Sequence, residues 1–79
     1  MSRAVFITYE EAQRLKPVFR QLVKEAPWKE ARESAARILE ELSFVRKDVD
    51  YSDLGGKQLL LQPTDYSFLM DVMDQTEIR

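Results

Sequence analysis

The chain has 79 residues, of which 44% are hydrophobic and 33% are charged, a composition typical of one small globular domain over residues 1–79. It contains no cysteine and no histidine, which excludes disulfides and thiolate metal sites and removes the commonest general base. No apolar run approaches the roughly 18 residues of a membrane-spanning helix, and the N-terminus lacks the apolar segment of a signal peptide. These features predict a cytoplasmic protein without a membrane partner.

The net charge of −2 is unevenly distributed along the chain. Residues 1–47 carry ten basic and seven acidic side chains, whereas residues 48–79 carry two basic and seven acidic ones. All acids in the first half are Glu, which suits helix interiors, and most in the second half are Asp, which suits caps and turns. The asymmetry therefore favours more helix in the first half. A dipolar charge distribution that steers a partner is the alternative.

A short strand is predicted at residues 4–7, because Ala-Val-Phe-Ile is an apolar run with β-branched and aromatic side chains. Thr8 and Glu11 then match the S/T-x-x-E capping box, which predicts a helix over residues 9–25. Pro17 lies well inside this helix and predicts a kink. The apolar side chains of this helix recur at helical spacing and are predicted to be buried: Ala12, Leu15, Val18, Phe19, Leu22 and Val23.

A second, central helix is predicted over residues 28–45, with Pro27 at its first position. The short link to the preceding helix favours a helical hairpin. Trp28 lies at the corner and is predicted to anchor it by packing, the alternative being an exposed ring that stacks on a ligand. The apolar stripe predicted to face the core comprises Trp28, Ala31, Ala35, Ile38, Leu39, Leu42 and Val45. The solvent side alternates in charge through Lys29, Glu33, Arg37 and Glu41.

The loop that follows resembles a calcium-binding EF-hand loop only at its start. Asp48, Asp50 and Ser52 match the first three ligand positions, but Asp53 replaces the required Gly and Leu59 replaces the bidentate Glu. No metal site and no cofactor are therefore predicted, and Gly55–Gly56 are expected to supply positive φ.

A second buried strand is predicted at residues 59–61. Residues 58–61 are predicted to pair with residues 4–7, because either strand alone would leave backbone groups unpaired. A final helix is predicted over residues 65–75, after Pro63 and Thr64. The chain is thus expected to form an α+β, mainly α domain in the order strand, helix, helix, strand, helix.

The last helix is amphipathic in an unusual way. Tyr66, Leu69, Met70 and Met73 share one face, whereas Phe68 and Val72 lie on nearly the opposite side. Two interpretations stay open: the helix is sandwiched between the sheet and the hairpin, or one side is a partner-binding surface. The predicted surface consists of Phe68 and Val72 with a polar rim of Asp65, Asp71 and Asp74.

A basic stripe, defined by Lys16, Arg20 and Lys24, runs along the first helix at four-residue spacing. In one interpretation these side chains cover the edge of the core with their alkyl stems. In the other they face anions, either phosphates or an acidic partner. Arg3 and Arg14 would join the stripe only if the fold brings them close.

No catalytic constellation is recognisable in the sequence, because no nucleophile is accompanied by a base or by a phosphate-cradling glycine loop. The leading prediction is a non-enzymatic protein-interaction module, either a homodimer or a small adaptor or inhibitor of a larger assembly. Compact inhibitors encoded by mobile elements have this size. The alternative is a nucleic-acid-binding accessory protein that uses the basic stripe.

Overall fold

The computed structural model describes residues 1–51 and 55–76. Ser52 and Asp53, which entered the EF-hand comparison, lie outside these residues. The described residues form five elements: β1 (Arg3–Ile7), α1 (Tyr9–Glu25), α2 (Lys29–Leu42), β2 (Lys57–Leu61) and α3 (Pro63–Thr76). The predicted α+β, mainly α class and the order of the elements are confirmed.

The predicted pairing of the two strands is confirmed, and the structure shows that it is antiparallel. The register runs from Arg3 opposite Leu61 to Ile7 opposite Lys57. Alternate side chains point to opposite faces, so Ile7, Leu59 and Leu61 are buried against the helices. The expectation that residues 59–61 are all buried is wrong at Leu60, because its side chain points to the outer face.

The start of α1 is fixed by the predicted capping box. The Glu11 amide donates to the Thr8 hydroxyl at 3.1 Å, and the Thr8 amide donates to the Glu11 carboxylate at 2.9 Å. Two amides that have no partner within the helix are thereby satisfied. The helix then continues through Pro17 without a break.

The core lies where the α1–α2 hairpin meets α3 and the inner face of the sheet. α2 packs against both α1 and α3, and α3 also contacts both strands. The radius of gyration is 12.1 Å, close to the roughly 11.6 Å typical of a folded chain of this length. The largest fully buried side chains are Ile7, Phe19, Ile38, Leu42, Val45, Leu59 and Leu69.

The corner between α1 and α2 differs from the prediction. α2 begins at Lys29, so Trp28 is its N-cap and Pro27 precedes the helix. Trp28 is 69% exposed, and the prediction that it anchors the corner is wrong. Ala26 is buried there instead, and the Arg32 guanidinium donates to the Ala26 carbonyl at 2.7 Å. A small side chain and one hydrogen bond close the corner, which leaves the indole outside.

Candidate functional site

The predicted partner surface on α3 is largely built into the protein itself. Val72 is only 7% exposed and belongs to the core. Phe68 is half-buried, with its ring edge-on to Phe19 at 6.0 Å between centroids. The expectation that these two side chains are surplus to the core is therefore wrong, and the sandwich interpretation is correct. The reason is that the apolar side chains form one arc about 200° wide, centred on Leu69 and running from Phe68 to Met70, so neither edge of the arc is a separate face.

Asp65, predicted as part of a polar rim, is buried in the first turn of α3. It accepts two hydrogen bonds from the Arg37 guanidinium of α2, at 2.8 and 2.9 Å. These hydrogen bonds hold the pKa of Asp65 below its usual value, with the Ser34 hydroxyl acting in the same direction. Asp65 thus ties α3 to α2. Asp71 and Asp74 are exposed, and their role in partner binding stays a prediction.

The outer face of the sheet is the clearest exposed apolar feature. Phe6 is 44% exposed and Leu60 is 61% exposed. Phe6 lies opposite Gln58, and Ala4 lies opposite Leu60, so the two large side chains are diagonal neighbours within contact reach. We call these four residues the outer sheet face. None of them carries a charge, in a chain where one residue in three does.

The edges of this sheet are also available. Apart from the β1–β2 ladder, no backbone hydrogen bond among residues 1–51 and 55–76 involves a strand residue. In an antiparallel pair, alternate amides and carbonyls of each strand point away from the partner strand. A strand edge of this kind is a template for further pairing.

The basic stripe lies on the flank of α1 that is turned away from α3. Arg14 and Val18 line a groove shared with α3, and Arg20 is about 160° around the helix axis from Val18. Arg20 and Lys24 are exposed, whereas Lys16 is half-buried. Within the described part of the chain, none of the three forms an ion pair. The stripe therefore faces solvent with its charges uncompensated by direct pairing.

Neither of the two arginines considered for the stripe joins it. Arg3 lies over the ring of Tyr66 on α3, at 5.6 Å from its centroid, a cation–π contact that ties β1 to α3. Arg14 borders the groove between α1 and α3, which has a volume of about 690 Å³. Its floor is apolar, formed by Leu15 and Val18 of α1 and two methionines of α3. The groove is suited to an apolar side chain.

Comparison with protein families, with curated proteins and with solved structures finds no match to this chain. Among the described residues, no helix has the length and apolar character needed to cross a membrane. In the same residues, no group of three carboxylates is placed to hold a metal ion.

Proposed function

We propose that this chain is a non-enzymatic protein-interaction module that docks through the outer sheet face. The observation that carries the proposal is the exposure of Phe6 and Leu60 side by side on a face without charged residues. Removing two such side chains from water contributes about 1–3 kcal/mol each when burial is complete. This surface replaces the Phe68 and Val72 surface expected from the sequence.

The face favours a protein partner, and a second copy of the chain is the simplest one. A two-fold contact uses the same patch on both copies, so a patch of one charge sign would face a patch of the same sign. The outer sheet face has no charge to repel its copy. It also offers no cation to a phosphate group, which argues against nucleic acid at this surface. We place the module in the cytoplasm, which the absence of cysteine fits.

The size of the face sets the strength of the association. Strands of five residues are about 17 Å long, and two of them are about 10 Å wide. A standard stable interface removes about 800 Å² from each partner, which is much more than this face provides. We therefore propose that the chain forms a weak, reversible homodimer through this face. A tighter complex would form only with a larger assembly that also pairs with the strand edges.

The proposal is tested by replacing both apolar side chains with a residue that keeps strand propensity. Phe6→Thr with Leu60→Thr should leave the thermal melt nearly unchanged, because threonine suits exposed strand positions. Sedimentation velocity should show concentration-dependent association of the wild type and a monomer for the double variant. Phe44→Thr is the matched control, because Phe44 is exposed outside the sheet, and it should associate as the wild type does.

Two results would count against this function. A wild type that stays monomeric up to about 1 mM would reject the homodimer. A double variant that folds and associates as strongly as the Phe44→Thr control would show that the contact surface lies elsewhere.

A further inference from the structure

A second surface, independent of the outer sheet face, combines the basic stripe with the exposed indole. Trp28 directly follows Pro27 at the corner, and Lys24 lies in the last turn of α1. The Arg32 hydrogen bond to the Ala26 carbonyl holds the first turn of α2 against the end of α1. Lys24, the last cation of the stripe, therefore lies four residues before an aromatic side chain that is 69% exposed.

The acidic residues of α1 do not lie next to the basic stripe. Glu25 is the nearest acid in sequence, but it lies about 100° around the helix axis from Lys24. There it accepts a hydrogen bond from Gln21, which holds it on the other flank. The carboxylates of Glu10 and Glu11 lie at the opposite end of the helix, where Glu11 is part of the capping box. On α1 itself the stripe is thus basic, although the chain as a whole is acidic and Asp48 and Asp50 line a pocket with Gln13, one turn before Lys16.

The spacing of the stripe suits a repeating anion. Four residues of helix advance about 6 Å and turn about 40°, so the three cations span about 12 Å along α1 in a row that winds about 80° around its axis. A row of cations that ends at an aromatic ring is the arrangement by which proteins hold single strands, with phosphates on the cations and a base stacked on the ring. An acidic peptide would use the cations but has no need of the indole. The exposed Trp28 therefore decides between the two partners.

We infer that the Lys16–Arg20–Lys24 stripe and Trp28 form a binding site for a short segment of single-stranded nucleic acid. The phosphates lie along α1, and one base stacks on the indole. The net charge of −2 opposes long-range attraction of a polyanion, so the binding is weak and local. Three phosphate contacts to a single strand predict a log–log salt slope of about −2, which is about 15-fold weaker binding at 200 mM than at 50 mM salt.

The chain has a single tryptophan, so its fluorescence reports directly on this site. Oligothymidylate of 12 nucleotides, added to the full chain at 50 mM salt, should quench the tryptophan emission, and the labelled oligonucleotide should gain anisotropy. Trp28→Ala should weaken binding about tenfold or more. Arg20→Gln with Lys24→Gln, both at exposed positions, should weaken binding and make the salt slope shallower.

Two control variants and an acidic probe complete the experiment. Phe44→Ala removes an exposed ring and Arg14→Gln removes an exposed cation, both away from the site, and both should bind as the wild type does. Thermal melts of every variant separate loss of binding from loss of fold. The inference is overturned if the oligonucleotide produces neither signal. It is also overturned if Trp28→Ala binds at full strength, or if polyglutamate competes as well as the oligonucleotide does.

Discussion

Asp65 is a buried carboxylate whose charge is balanced by a side chain from another helix. Arg37 reaches it across 28 positions of sequence with two hydrogen bonds, while the guanidinium itself stays more than half exposed. By its spacing Arg37 belongs to the alternating row of charges predicted on the solvent side of α2, and Asp65 belongs to the predicted polar rim. Neither residue has a local signal that distinguishes it from a surface charge, so the pairing was beyond sequence reasoning.

The Asp65–Arg37 pair predicts acid sensitivity. Because the pKa of Asp65 is lowered in the folded state, the unfolded chain binds more protons as the pH falls. The stabilisation is present above the unfolded pKa of about 3.9, and it is lost as the pH falls below about 4 through the folded pKa. Melting temperatures measured from pH 6 to pH 2 should fall steeply for the wild type and less steeply for Asp65→Asn. Equal slopes would contradict the assignment.

The same pair predicts a specific double-variant result. Arg37→Met leaves the buried carboxylate of Asp65 without its guanidinium partner and should cost about 1–2 kcal/mol, less than for a fully buried pair because the guanidinium is 57% exposed. Combining it with Asp65→Leu removes the unpaired charge and should recover most of that stability, because a buried pair is often replaceable by apolar side chains. Asp71→Asn, at an exposed position of the same helix, should change stability by less than about 0.5 kcal/mol. Denaturant unfolding of these three variants and of the Asp65→Leu single variant tests this, and additive losses would argue against a direct pair.

At the scale of the elements, local sequence signals predicted where helices and strands form, but they did not predict which side of each element faces solvent. The capping box fixed the start of α1, and strand pairing was inferred from the need to satisfy backbone groups. Leu60 and Trp28 were predicted to be buried and are exposed, because hydrophobicity predicts burial without saying which side of a short element meets the core. Their exposure depends on how the sheet and the α1–α2 corner pack against the helices, and no local sequence pattern contains that information.

The turn before β2 explains how the two strands come together. Gly56 has φ +138° and lies directly before Lys57, the partner of Ile7 in the ladder. A Cβ atom at Gly56 would lie 2.5 Å from the Ile7 carbonyl carbon and 2.6 Å from its oxygen. Gly55 has φ +76°, with nothing within 4 Å of an added Cβ. Both predicted positive-φ glycines are confirmed, but only Gly56 also allows a close backbone approach.

These two glycines provide a matched test of the strand contact. Gly55→Ala should cost about 1–2 kcal/mol, because only the left-handed backbone is strained. Gly56→Ala adds a clash with the backbone of β1 that no side-chain rotation relieves, and it should cost about 3 kcal/mol or more. Equilibrium unfolding in urea would measure both losses. If the two variants were equally stable, the close approach of Gly56 to Ile7 would be wrong.

At the scale of the whole molecule, one small core carries the stability. A chain of this length has a free energy of unfolding of about 4–12 kcal/mol, and it contains no disulfide to add to it. The core combines side chains from all five elements, so a defect in one element reaches the others. The sequence predicted most of this core from helical periodicity. Val72 was instead predicted to lie on a second apolar face of α3, apart from Leu69. In the structure the two residues belong to one buried arc, because neighbouring elements cover α3 on both sides.

The central position of α2 in this core leads to the last prediction. Leu42 is fully buried among the helices and the sheet, whereas Leu39, on the same helix, is only half-buried. Leu42→Ala should cost about 2–5 kcal/mol through lost burial and a residual cavity, which approaches the whole stability of the chain. Leu39→Ala should cost clearly less, because part of its side chain already contacts water.

Both variants keep helix propensity, since alanine is the best helix former. Melting temperatures and urea midpoints of the two variants, compared with the wild type, give the order directly. A larger loss at Leu39 than at Leu42 would mean that α2 is rotated about its axis relative to the packing described above.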